Sequence, residues 1–161
     1  MPKNESNGWI IFITLGIAII LEIMPIPEWG LLYRPQWLPM VIIFWCINAP
    51  FRMNIFKVWA LGLLLDVLLG TLLGQHGIGF ILITLISLKI HLRLVLLPLF
   101  QQSLLIFCLL VIERMPAFWL MGMMQTPPPL LSYWITPLIG AIIWPWLFVI
   151  LRDIQRYFKV H

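Results

Sequence analysis

Apolar runs broken by proline, glycine or charge divide the chain into six stretches, each read as a helix. The first covers residues 9–24 and stops at Pro25-Ile26-Pro27. The second covers 35–49: Pro35 is tolerated in a first helical turn, Pro39 loosens the start, and Pro50-Phe51-Arg52 ends it. The third covers 55–74, and the fourth covers 77–88 before dissolving into Lys89-Ile90-His91-Leu92-Arg93. The fifth covers 98–121, with the triple proline Pro127-Pro128-Pro129 breaking the chain after it, and the sixth covers 133–151. No internal repeat interrupts this order. The pattern predicts an all-α fold in one unit covering 1–161.

Composition decides the solvent of that bundle. Hydrophobic residues make up 62% of the 161 and charged residues 10%, with a mean hydropathy of +1.03. Soluble domains carry about 45–50% and about 25%, so a water-soluble globule is excluded. The bilayer is the natural solvent. Six spans of roughly 20 residues use about 120 positions and leave about 40 for loops and tails, so no soluble domain fits. The first run is expected to stay on as a helix rather than serve as a signal peptide. No small-x-small site follows it, and Lys3 and Glu5 share its leader. Cys46 and Cys108 both fall within apolar runs, which points away from a disulfide framework.

Orientation follows from the ten lysines and arginines. With a cytoplasmic N-terminus, eight of them fall inside: Lys3, Arg52, Lys57, Lys89, Arg93, Arg152, Arg156 and Lys159. Arg34 alone falls in an outer loop, and Arg114 lies within the fifth span. Basic residues mark the cytoplasmic side, so the prediction is a polytopic bundle of six transmembrane helices with both termini cytoplasmic. The sequence pI of about 9.4 is then a consequence of topology. It signals no nucleic-acid partner, and at most a weak preference for anionic lipid.

Asp66 is the strongest local anomaly, a carboxyl near the middle of the third span. There an isolated charge costs at least about 2.5–3.5 kcal/mol. Gly62, Gly70 and Gly74 are spaced from it by fours, so all four residues would share one helical stripe. The readings are a close-packing face with a satisfied acid, a proton or ion relay, or a partner surface; the first is the commoner. On it, Asp66→Asn would be nearly silent and bulk at Gly70 more harmful. Glu113 and Arg114 sit in the fifth span and need not pair, since neighbours point about 100° apart. Arg114 is near enough the outer boundary to snorkel. Glu22 is expected to reach the outer interface. Trp9, Trp29, Tyr33, Trp37, Tyr133, Trp134, Tyr157 and Phe158 fall near predicted boundaries as an aromatic belt. Trp144-Pro145-Trp146 lies well inside the sixth span, either as a kink between two bulky rings or as a recognition surface for another helix.

Catalytic patterns are missing: the chain has no HExxH and no GxSxG. His76, His91 and His161 are scattered over an outer turn, an inner loop and the tail, without metal-ligand spacing. Neither an enzyme, a metal nor a cofactor is expected.

Taken in order, several pieces resemble the MreD family of rod shape-determining membrane proteins. They are Pro25-Ile26-Pro27, Arg34-Pro35-Gln36-Trp37, Phe44-Trp45 leading to Pro50-Phe51-Arg52, Gly62-Leu63-Leu64-Leu65-Asp66, Gly70-Thr71-Leu72-Leu73-Gly74, Trp144-Pro145-Trp146 and Leu151-Arg152-Asp153-Ile154-Gln155-Arg156. The resemblance implies a non-enzymatic inner-membrane subunit of the cell-elongation machinery. It also implies association with MreC, and through it with the actin-like MreB and the RodA–penicillin-binding-protein synthase pair. It further implies a fold similar to the six-helix substrate-binding subunits of vitamin importers, which supplies a second reading as a small-solute, ion- or lipid-binding subunit. No catalytic residue is carried over. Gly62, Asp66, Gly70, Gly74, Arg34, Pro35, Glu113, Arg114, Trp144, Pro145 and Trp146 stand as helix-packing or partner-interface candidates.

Overall fold

The computed structural model describes residues 8–126 and 128–158, apart from the side chains of Leu31 and Leu32. Lys3, Glu5, Pro127, Lys159 and His161 lie outside the described residues. Among those described, every regular element is helical: α1 (Trp9–Ile23), α2 (Trp37–Asn48), α3 (Ile55–Leu69), α4 (Gln75–Leu96), α5 (Leu99–Met123) and α6 (Leu130–Tyr157). Two 3₁₀ turns, Glu28–Tyr33 and Pro50–Arg52, flank α2.

The core is built around α2, in which every residue from Leu38 to Ile47 is buried. A helix that is apolar all round has no face to give to solvent, and burial on every side is its stable placement. Helix α4 packs against α2, α3 and α5, while α6 packs on α5, on α2 and on the turn Glu28–Tyr33. Glycine allows the closest crossings. A Cβ on Gly62 would lie 2.5 Å from the Gly77 Cα, and one on Gly79 would run into the backbone oxygen of Glu113. These contacts hold α3 on α4 and α4 on α5.

Several helix ends differ from the sequence reading. Helix α6 runs from Leu130 to Tyr157 rather than over 133–151, because Arg152, Asp153 and Arg156 end the apolar run without ending the backbone bonding. The third helix stops at Leu69, not at residue 74. Gly70 takes φ +66°, and the Thr71 N–H reaches back to the Asp66 carbonyl at 3.0 Å. That is a left-handed C-terminal turn of the kind glycine permits. The fourth helix continues through Lys89, His91 and Arg93 to Leu96, because charged side chains do not interrupt backbone bonding. The second begins at Trp37, which leaves Pro35 buried just ahead of it.

The connections α1–α2, α3–α4 and α5–α6 gather at one end of the bundle, where residues from all three line shared cavities. At the other end the Trp9 and Phe158 rings meet edge to face, 5.8 Å apart. The start of α1 and the end of α6 therefore lie side by side.

Candidate functional site

Asp66 is fully buried at the end of α3, and its partners explain why a carboxylate is there. Its Oδ1 accepts from the Thr71 hydroxyl (2.9 Å) and the His76 N–H (3.1 Å), and lies 2.6 Å from His76 Nδ1. Oδ2 accepts from the Gly74 N–H at 2.8 Å. Gly74 is the residue before α4 and offers no side-chain cap. The first N–H groups of a helix need acceptors, and a negative charge is favoured there. Asp66 supplies both from the end of the preceding helix.

This corrects the glycine stripe. Since α3 ends at Leu69, Gly70 and Gly74 are not on its surface: both have positive φ, and a Cβ on either would meet nothing within 4 Å. Only Gly62 of the three is a close-packing glycine, and its opposite number is Gly77. Asp66 sits at a helix end rather than in mid-span.

Glu22 does similar work near the start of α2. Half-buried rather than extended outward, it accepts from the Leu38 N–H at 3.3 Å, close to the uncapped first turn of that helix. Glu113 and Arg114 point to different neighbours. The Glu113 carboxylate is buried and receives the Gln36 amide N–H at 2.6 Å, tying α5 to the entry of α2. Arg114 turns to α6: its Nη1 donates to the Tyr133 carbonyl (2.9 Å), the Tyr133 hydroxyl donates back to the Arg114 carbonyl (2.8 Å), and the guanidinium lies 4.6 Å from that ring's centre. Arg34 follows the turn Glu28–Tyr33. Its Nε and Nη2 are buried without a hydrogen-bond partner among the described residues, as is the Oε1 of Gln36.

Trp144, Pro145 and Trp146 divide by face. Trp144 is fully buried against Phe148, Trp146 is exposed, and Pro145 sits half-buried between them. The Trp144 indole N–H reaches the Gln102 side-chain oxygen at 3.4 Å. The Gln102 amide donates to the Leu94 and Leu97 carbonyls at the end of α4. Gln102 was invisible to sequence reasoning, as were Gln36, Thr71 and Tyr133 as polar partners; the one available clue was a glutamine within an apolar run.

These groups enclose two adjoining spaces. An inner cavity of about 140 Å³ is lined by Glu22, Gln36, His76, Glu113, Arg114 and Tyr133 among others. A cleft of about 370 Å³ beside it is lined by Glu22, Arg34, Arg114, Ser132, Tyr133 and Thr136, with Pro128 and Pro129. Chemically, the arrangement holds helix termini together and presents two guanidinium groups to the cleft. Among the described residues, no nucleophile–base pair is assembled there. A separate apolar groove of about 530 Å³ runs between α1 and α3, lined by Ile11, Phe12, Leu15, Leu61 and Leu64, with Arg52 and Lys57 also on its walls.

The profile of the family described as rod shape-determining protein MreD matches residues 3–154. A curated relative, the rod shape-determining protein MreD of Haemophilus influenzae, is 32% identical over 149 residues, 90% of each chain. No solved structure matches.

Proposed function

The chain belongs to the MreD family of rod shape-determining proteins, and we propose that it serves as a non-enzymatic, six-span subunit of the bacterial inner membrane that organises lateral-wall peptidoglycan synthesis together with an MreC-like protein. Through that partner it connects to an MreB-like filament and a RodA–penicillin-binding-protein synthase. The observation that carries this reading is the family match over nearly the whole chain. The way the polar residues are used agrees with it. Asp66, Glu22, Gln102 and Arg114 are each engaged in holding a helix end, which is the work of a scaffold.

Six crossings with both ends in the cytoplasm are supported by the Trp9–Phe158 contact, which puts the start of α1 and the end of α6 on one side of the bundle. Helices α4, α5 and α6 are long and apolar enough to cross alone. The 12 residues of α2 rise only about 18 Å, short of a hydrocarbon core of about 30 Å. Burial within protein and the flanking 3₁₀ turns make that tolerable, since irregular backbone at membrane depth survives where protein surrounds it. Reporter fusions after His161 and within residues 89–93 should read cytoplasm, and a fusion at Pro128 should read periplasm. A periplasmic C-terminus would overturn the six-span arrangement. In mild detergent the protein should be recovered with its MreC-like partner.

A second reading, as a solute-binding subunit, gains from the convergence of polar groups on the two cavities. Drug-sized ligands occupy about 300–1,000 Å³. The inner cavity is well below that range, which leaves the scaffold reading ahead. The larger cleft is within it.

A further inference from the structure

The cleft of about 370 Å³ contains an unmet chemical demand. Nε and Nη2 of Arg34 form one edge of the guanidinium, and both N–H groups on that edge are buried without an acceptor among the described residues. A buried cationic donor left unpaired is strongly unfavourable, and two parallel N–H groups match two oxygens of a carboxylate or phosphate. The rest of the lining fits such a guest. Arg114 adds a second positive charge against the single carboxylate of Glu22, and Ser132 and Thr136 add hydroxyls. Each hydroxyl is already turned to a carbonyl in the preceding turn, Ser132 to Pro129 and Thr136 to Ser132.

Two further features bear on the source of the oxyanion. The cleft lies at the end of the bundle, where helices that cross a bilayer meet its headgroups. The other side of the first turns of α6 carries an apolar hollow lined by Phe107, Leu130, Leu131, Trp134, Ile135 and Leu138, with Leu130 and Leu131 largely exposed. A polar pocket and an apolar surface flanking the same helix start suit an amphiphile.

We propose that this cleft binds a phosphate oxyanion on the Nε–Nη2 edge of Arg34, with a phospholipid headgroup as its source. The test uses the full-length protein in alkyl maltoside, which contains no phosphate. Three probes are added separately: dioleoylphosphatidylglycerol, dioleoylglycerol with the same chains, and inorganic phosphate. Thermal unfolding reads binding, because a ligand of the folded state raises the midpoint. Phosphatidylglycerol should raise it and dioleoylglycerol should not. Arg34→Gln should weaken the phosphatidylglycerol effect by at least about tenfold. Arg34→Lys should not rescue it, since an ammonium keeps the charge and loses the two-donor edge. An equal Arg34-dependent shift with inorganic phosphate supports the oxyanion site and makes a free anion its source.

The wild-type protein gives an independent reading should the variants fail to fold. Phosphatidylglycerol should slow phenylglyoxal modification of Arg34 several-fold and leave the exposed Arg93 unaffected. Equal stabilisation by dioleoylglycerol, full retention of the effect in Arg34→Gln or Arg34→Lys, or unprotected Arg34 would overturn the proposal. So would an Arg34 requirement confined to recovery of the protein partner, which would assign the edge to a partner carboxylate.

Discussion

Replacing Asp66 should unfold the α3–α4 turn. Asp66→Ala removes the acceptor for the Gly74 and His76 N–H groups, the Thr71 hydroxyl and the His76 ring. Hydrogen bonds to a charged group contribute about 1.5–3 kcal/mol each, and removing one partner from a buried pair costs about 3–5 kcal/mol. The expected loss is at the upper end of that range, because several donors at the start of α4 are orphaned together. Asp66→Asn should also be harmful, by about 2 kcal/mol or more. Carboxamide has one accepting oxygen, so its NH₂ must face either the Gly74 N–H or the donors now gathered on Oδ1. Thermal unfolding in detergent and abundance in the membrane are the measurements. A silent Asp66→Asn, the result expected if the acid merely bonded across a glycine stripe, would contradict the anchoring role.

The second large effect is at the glycine crossings. Gly79→Ala would drive a methyl group into the Glu113 backbone, and Gly62→Ala would set one 2.5 Å from the Gly77 Cα. Backbone cannot swing aside as a side chain can. Each substitution should therefore force helices apart and cost about 3 kcal/mol, at the high end of overpacking. Gly70→Ala meets open space and bears only the penalty of a left-handed residue, about 1–2 kcal/mol. The order Gly79→Ala and Gly62→Ala worse than Gly70→Ala, read by unfolding temperature at equal expression, is the expected result. Equal effects would show that the crossings are looser than described.

The contrast between these glycines shows what the sequence could and could not convey. Six helices were legible because apolar runs end at Pro25, Pro50, Lys89 and Pro127-Pro128-Pro129, which are local signals. The end of α3 was not. Gly70 and Gly74 continue the four-residue spacing of Gly62 and Asp66, so a helical stripe and a pair of left-handed turn residues read alike. Only the backbone conformation separates them. The end of α4 is hidden for a different reason: Lys89, His91 and Arg93 mark where apolar character stops, while the backbone remains helical to Leu96.

The polar site was half legible. Asp66, Glu113, Arg114 and Arg34 are conspicuous as charges in apolar surroundings. Their partners are set by tertiary packing: Gln36 meets Glu113 across 77 positions, and Trp144 meets Gln102 across 42. Neither pair shares a periodicity that a single sequence could reveal. His76 reads as a stray residue in a turn because its function depends on Asp66, ten positions back, folding over it.

A protein that sustains rod shape from within the membrane must be needed for that shape. The most direct measurement is cell shape by microscopy as the protein is depleted from a rod-shaped host, with re-expression of the intact chain as control. Rods should round up as the protein is lost and recover when the chain is restored. Rods that keep their shape while uptake of a vitamin or ion fails would contradict that role and favour the solute-binding reading.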